Sequence, residues 1–562
     1  MLDKADDARM RATRTGPRLD FQEHLADLEA AGLVERIDTP INKDTELHPL
    51  VRWQFVGGVP ENKRKAFIFT NVTDAKGRKY DIPVVVGALS ASPEIYAFGM
   101  GRKVEEIGDA WMQAINHPIA PIRVTSAPCQ EVVITGEGLK APGGLNALPV
   151  PVSTPGFDSA PYLTATLCVT RDPETGVQNM GTYRAGLKAA DRLAVRMVAR
   201  EATGAGGFLH WQKYRARKEK MPIAIVVGAA PIVVFTGPQK LAIDLDEMGV
   251  AGGLAGEPIR MVKCKTIDLD VPADSEIVIE GLIDCEKLEP EAPFAESNGY
   301  VALEAFNMPM DVTAITRKQK PVFCSIISQV TPSESSVIKK VAYEPLFLAH
   351  LRDRLAIKGV TRVAMHERLT NLRPVIFIQV TAGTPRTEVW RALHGASSLM
   401  SNCGKIVVAV SDDIDPTSVD AVLWSLAYRS NPIQDVQIVP NRGGVQGAQY
   451  GPRESDSSML VDATRKRPMA PLALPTREHM EHARELWERL SLHPLTVTSP
   501  WHGYHLGDWT DTWEKFAKRA AVGDWELSGQ ETLKRQRGGD IMPETSVRAV
   551  EKDNSSPRDK SE

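Results

Sequence analysis

SEIVIEGLI, residues 275–283, reads as a β-strand, a short run rich in β-branched and aliphatic residues. Five further runs between about 161 and 330 read the same way: YLTATLCVT, PIAIVVG, PIRMVKCKTIDL, PMDVTAITRK and PVFCSII. One helix is expected to interrupt them, LKAADRLAVRMVAREAT (187–203). Many strands with few helices predict a barrel or sandwich core. From about 331 the period changes. GVTRVAMHE, PVIFIQVTA and KIVVAVSD read as buried strands, and RTEVWRALHGASSLM and TSVDAVLWSLAYRS as helices. That alternation predicts an α/β layer with some parallel sheet.

Ahead of the strand-rich region, residues 20–36 have helical spacing, and VEEIGDAWMQAIN (104–116) is helix-like within a mixed segment. Residues 136–160, dense in Gly and Pro, predict a long loop. TREHMEHARELWERL (476–490) predicts an amphipathic helix, with Thr476 as N-cap and Met480, Leu486 and Leu490 available to pack. The polar C-terminal stretch ETSVRAVEKDNSSPRDKSE predicts disorder. A length of 562 residues implies two to four domains.

Composition narrows the class. With 43% hydrophobic and 25% charged residues the chain reads as globular. A formal net charge of −4 gives no reason to expect nucleic acid or an anionic membrane as partner. No apolar run reaches the roughly 18–20 residues of a membrane helix. The start, MLDKADDARMRATRTG, lacks a signal-peptide core, and Asp3, Asp6 and Asp7 argue against a transit peptide. The six cysteines (129, 168, 264, 285, 324, 403) are scattered without a CxxC pair. This predicts reduced, buried thiols in a cytoplasmic protein.

Downstream of SEIVIEGLI, the stretch EAPFAESNGY (291–300) sets Glu291 and Glu296 around a Pro-Phe pair. Glutamate is normally a surface residue, and Pro293 excludes a helical repeat there. Three other stretches carry chemistry-bearing residues. NMGTYR (179–184) leaves the strand YLTATLCVT through a turn, and its Asn179 and Arg184 could serve a metal and an anion. In GGFLHWQKYRARKEK (206–220), His210 sits among Phe208, Leu209 and Trp211. The run Lys213, Arg215, Arg217, Lys218 and Lys220 reads as a solvated face, or as a dock for an anionic group or another subunit. In DLDEMGVAGGLAGEP (244–258), Glu247 precedes small residues over which backbone can approach a ligand closely. Taken singly, each has a bland first reading: a polar turn, a satisfied core histidine and a surface loop acid.

Jointly, and in this order, they resemble the UbiD-like decarboxylases, which use prenylated FMN. The motifs that carry the resemblance are NMGTYR, the histidine of FLHWQKY, EMGVAGGLAGEP, VPADSEIVIEG and EAPFAESNGY, and it runs from about residue 120 to 415. It implies that Asn179, His210 and Glu247 hold a divalent metal, usually manganese, against the flavin phosphate. Oxygen donors with one imidazole suit Mn²⁺ or Mg²⁺. Similar enzymes also bind potassium through backbone carbonyls near this glutamate, here the loop FTGPQ (235–239). Tyr183, Arg184 and Lys405 fall at further cofactor-binding positions, with Lys405, in NCGKIVVAV, as a phosphate-contacting point charge.

EAPFAE matches the family's Glu-x-Pro-Phe-x-Glu motif, and Arg184 the arginine that pairs with it. The implied catalytic set is Arg184, Glu291 and Glu296. Glu296 is the expected proton donor, its pKa raised by a dry site, and Glu291 stays ionised against Arg184. In similar enzymes the flavin acts as the electron sink, which requires an sp² carbon beside the carboxylate.

The fold thus expected is multidomain: a split β-barrel flavin-binding core flanked by N-terminal and C-terminal α/β domains. The divisions are 1–125, 126–330 and 331–475, then a helical oligomerisation or lid extension at 476–540 and a disordered tail at 541–562. The expected activity is reversible decarboxylation of an aromatic or heteroaromatic acid. A carboxylase, an aryl-CoA thioester decarboxylase and a non-catalytic flavin-binding scaffold are the alternatives. Expected partners are the aryl acid, a flavin prenyltransferase that supplies the cofactor, and further copies of the chain as a dimer or hexamer. Substrate-facing segments match the family least. The stretch 431–455 reads as a Gly- and Gln-rich loop, IISQVTPSESS (326–336) as a polar pocket wall, and 501–529, with four tryptophans, as a cover or docking extension.

Overall fold

The computed structural model describes residues 16–197, 205–239, 241, 245–291, 293–367, 370, 374–400, 403–442 and 456–536. The expected tail at 541–562 lies outside the described residues. The chain separates into two units, 1–465 and 466–562.

The strands expected in the middle region build a ten-stranded sheet, antiparallel at every pairing. At its centre Met221–Val227 pairs with Ile277–Ile283, and Ile277–Ile283 pairs with the long strand Ala305–Arg317. The path runs from Gln178–Gly181 at one end to Tyr162–Leu163 at the other and does not close on itself among the described residues. Both central strands are buried almost throughout, which is why they read as mainly apolar runs rather than alternating ones; the buried exception, Glu280, accepts from the Lys265 and Thr266 N–H groups.

Several expectations need correction. The segment 187–203 is not a helix where it is described. It forms a hairpin, Ala185–Ala189 with Arg192–Val195, whose second strand pairs with Met308–Asp311. Pairing buries Leu193, Ala194 and Val195 together, and this outweighs the helix propensity of the alanine-rich segment. Helices form instead at Gly206–Arg217, Pro231–Thr236 and Glu247–Ala255. PIRMVKCKTIDL contributes only Arg260–Lys263, in a separate three-stranded sheet with Asp270–Pro272 and Ile122–Val124. PVFCSII supplies Phe323–Ser325, which joins the N-terminal sheet beside Val84–Val86. One continuous core accordingly runs from Phe21 to Val341.

The α/β layer appears as expected. Val375–Val380, Ile406–Ser411 and Asp456–Asp462 lie parallel, with antiparallel edges Val360–Met365 and Val436–Arg442. The last edge falls inside the stretch read as a loop; residues 443–455 lie outside the described ones. Helices Glu334–Ala349 and Arg386–Ser398 cover one face of the sheet, and Val419–Arg429 the other. Glu334–Ala349 was not legible in the sequence, because Pro345 interrupts its pattern.

In residues 466–562 the expected helix runs Arg477–Arg489. Thr476 occupies its N-cap position without a side-chain capping bond. Asp511–Ala521 and Trp525–Leu533 follow, and no residue of these three helices is buried. All six cysteines are buried. Among the described residues no helix is long and apolar enough to cross a membrane.

Candidate active site

Sheet register sets the first group of residues. Thr170 on the strand Thr166–Arg171 lies opposite Asn179 on Gln178–Gly181. The helix Gly206–Arg217 begins against Asn179. A Cβ at Gly206 would stand 2.0 Å from Asn179 Oδ1, so glycine is what permits the approach. One turn later, on the same helix face, His210 reaches back to the sheet, its Nδ1 2.9 Å from Thr170 Oγ1. Burial pulls the His210 pKa down to about 4, so the ring is neutral and its Nε2 is suited to a metal. Glu247 opens the helix Glu247–Ala255, where Asp246 caps the Met248 N–H. Glu247 Oε2 accepts from the Met180 N–H at 3.4 Å. Met180 adjoins Asn179, so Asn179, His210 and Glu247 gather at one end of the sheet.

Burial pushes the Glu247 carboxyl up to about 7. A half-buried acid with so little hydrogen bonding, beside a neutral imidazole and an amide oxygen, fits a divalent cation. Tyr183 braces the group: its hydroxyl accepts from Gly207 N–H at 3.1 Å and Asn179 Nδ2 at 3.4 Å. Burial pushes the Tyr183 hydroxyl up to about 12, so it stays protonated.

The second group lies on the other side of NMGTYR. Arg184 Nε and Nη2 donate to Glu291 Oε1 and Oε2 at 2.8 and 3.0 Å, and Nη1 donates to Glu296 Oε1 at 2.6 Å. The Glu291 side chain is 0% exposed and Glu296 19%. Asn307 Nδ2 donates to Glu291 Oε2 at 3.1 Å. The guanidinium also lies over Phe294, 4.5 Å from the ring centroid, and Phe294 packs on Tyr162. Pro293 separates the strand Glu289–Glu291 from the hairpin Phe294–Ala295 with Val301–Ala302, and both acids turn toward Arg184. The arrangement can hold one carboxylate rigidly and leave the other reachable.

Lys405 is not brought to either group. Its Nζ is bonded to both oxygens of Asp456, at 2.8 and 3.0 Å, at the rim of the C-terminal sheet. The basic run after His210 lies on an outer face, with Lys213 paired to Asp172 and Glu174.

Sequence reasoning missed Asn307, Arg196 and Arg52. Arg196 Nη2 lies 3.9 Å from Glu296 Oε1. Arg52, on the N-terminal helix Leu47–Val56, donates to the carbonyls of Gln329 and Val330 and to Gln329 Oε1. It thereby ties down the segment 326–336, whose Val330 N–H donates to the Glu296 carbonyl at 3.2 Å. Val330 is held at φ 34°, a strained value for a β-branched residue. No local pattern could have signalled Arg52, which acts across 277 residues.

Comparison with known proteins gives matches to three family models of 3-octaprenyl-4-hydroxybenzoate carboxy-lyase. They are the N-terminal domain over residues 25–115, the Rift-related domain over 122–330 and the C-terminal domain over 336–463. The Synechocystis sp. protein sll0936 is 26% identical over 519 residues, covering 87% of this chain and 96% of that protein. Among solved structures, the UbiD-class enzyme HmfF from Pelotomaculum thermopropionicum, in complex with FMN, is 27% identical. Its TM-score is 0.71, with 85% of this chain and 97% of that one covered. An evolved dimeric form of the same enzyme, in complex with prFMN, is likewise 27% identical, with a TM-score of 0.69 and 80% and 95% covered.

Proposed function

The chain belongs to the UbiD family of carboxy-lyases, and on that footing we propose that it catalyses the reversible, non-oxidative decarboxylation of an aromatic or heteroaromatic acid with prenylated FMN. The observation that carries this reading is the division of labour around Arg184. Glu291 is buried and held by two hydrogen bonds from Arg184, whereas Glu296 is held by one and remains reachable. HmfF, solved with FMN and with prFMN, supports the cofactor. We read the open ten-stranded sheet as a split barrel around such a flavin.

Asn179, His210 and Glu247 would hold a Mn²⁺ or Mg²⁺ ion that neutralises the flavin phosphate, and Tyr183 keeps Asn179 in place. Lys405 would add charge there once released from Asp456. When bound, the prenylated flavin supplies the electron sink that carboxylate loss requires.

The protein's own part is placement and proton delivery. Arg184 holds Glu291 by two hydrogen bonds and orients Glu296. Glu296 delivers a proton to the carbon that lost carbon dioxide, and takes one back in the reverse direction. Phe294 and Tyr162 exclude water from the guanidinium. The segment 326–336, tied down by Arg52, lies beside Glu296 as a polar wall able to read ring substituents.

The test is carbon dioxide release from a panel of aryl acids, using protein co-expressed with a flavin prenyltransferase. The mass of the bound cofactor is measured in parallel. Release by the wild type and its loss in Glu296→Gln are expected. A loaded wild type inert toward every acid and every aryl-CoA thioester would sink the decarboxylase reading.

A further inference from the structure

The segment FTGPQ (235–239), which closes the helix Pro231–Thr236 and turns out of it and at which the family resemblance expects potassium, already holds a cation of the chain's own. Lys339, on the helix Glu334–Ala349, donates from Nζ to the Pro238 carbonyl at 2.6 Å. The same ammonium stands 5.2 Å from the ring centroid of Tyr343, a fully buried residue one turn further along the helix. A carbonyl oxygen on one side and an aromatic face on another are what a desolvated monovalent cation seeks.

The loop's position makes this matter. Gly237 packs against the NMGTYR turn: a Cβ there would stand 3.0 Å from Thr182 Oγ1. The helix that leads into the loop, Pro231–Thr236, packs on the helix that starts at Glu247. The ammonium therefore reaches a loop wedged between the Asn179 turn and the Glu247 helix. Ammonium and potassium compete for the same oxygen lone pairs, and two cations sharing one carbonyl repel.

We propose that Lys339 takes the place of the monovalent cation at this loop, so that the chain binds its flavin phosphate without potassium. The inference rests on the flavin reading above and departs from the potassium that resemblance alone implies.

The experiment titrates FMN into the full-length protein with Mn²⁺, in potassium chloride and in choline chloride of equal ionic strength, and counts bound potassium by elemental analysis. The wild type should bind FMN equally well in both salts and carry no stoichiometric potassium. Lys339→Met should bind about tenfold more weakly in choline, the scale of one lost charge-assisted hydrogen bond. Potassium should restore its affinity, with one ion taken up. Lys339→Arg should stay independent of potassium. Potassium-dependent binding by the wild type, or a stoichiometric potassium ion in it, overturns the inference and leaves the flavin reading intact. So does unweakened binding by Lys339→Met in choline. If Lys339→Met does not fold, the wild-type salt comparison and ion count still decide. Failure of the wild type to bind FMN in either salt overturns the flavin reading itself, and this inference with it.

Discussion

Arg184 and Glu291 form a two-point ion pair inside the protein, Nε to Oε1 at 2.8 Å and Nη2 to Oε2 at 3.0 Å, with the Glu291 side chain wholly buried. The third guanidinium nitrogen goes to Glu296, which is partly exposed. Geometry alone thus makes the two acids unequal: one cannot leave its partner, and the other can.

The proton donor is tested by Glu296→Gln, which keeps the shape and the hydrogen bond but cannot give a proton. Turnover should fall roughly 10²–10⁴-fold, the usual range for general acid catalysis. Cofactor content should not change. The decisive measurement is deuterium incorporation at the product carbon in heavy water. Exchange at the wild-type rate in Glu296→Gln would show that the proton comes from elsewhere.

Arg184→Ala should damage the fold as well as the chemistry. Among the described residues it leaves Glu291 buried with only Asn307 as a hydrogen-bonding side chain, and breaking such a pair costs about 3–5 kcal/mol. Denaturant unfolding measures this directly. Glu296→Gln, which leaves the Arg184–Glu291 pair intact, should cost far less. Equal losses in the two variants would mean that Glu291 has no special structural role.

His210→Ala should release the metal. The variant should bind less Mn²⁺ by elemental analysis and hold less FMN, because the phosphate charge is left beside Glu247. Full flavin occupancy in metal-free His210→Ala protein would refute the ligand assignment.

Glu334 supplies a pH dependence unconnected with the metal group. Burial pushes its carboxyl up to about 8, while Oε2 accepts from the Ile327 N–H at 2.8 Å. A folded-state pKa above the unfolded one means stability that is present below the ordinary carboxyl range and lost as the pH rises toward 8. Glu334→Gln keeps an acceptor and cannot ionise. The wild-type-minus-variant unfolding free energy should therefore decline with pH by up to about 1.4 kcal/mol per unit between those limits, then level off. A pH-independent difference would show that Glu334 is ionised throughout.

Lys405 tests the phosphate contact. Its bond to Asp456 is half-exposed, a kind of pair worth about 0–1 kcal/mol, so Lys405→Ala should melt close to the wild type. FMN affinity should nevertheless drop in Lys405→Ala and hold or rise in Asp456→Asn, where the amine is released. Unchanged affinity in Lys405→Ala would remove Lys405 from the site.

What the sequence determined by itself was the sequence of layers and the residues proposed to react. SEIVIEGLI, PIAIVVG and KIVVAVSD are legible as strands because most of their residues are β-branched or aliphatic, as a buried strand requires, and that is a local property. Asn179, His210, Glu247, Arg184, Glu291 and Glu296 were legible because their motifs keep order and spacing along the chain. Tertiary structure decided what each segment pairs with. LKAADRLAV has the composition of a helix, and it becomes a hairpin because Met308–Asp311 offers a strand edge that buries Leu193 and Val195. Phe323–Ser325 looked like part of the middle region, yet it completes the N-terminal sheet beside Val84–Val86. Arg52 reaches Gln329 across 277 residues, and Lys339 reaches Pro238 across 101. Periodicity records how deeply a residue is buried and carries no record of its partner. A lysine on a helix therefore reads as a solvated charge until the fold brings a carbonyl to it.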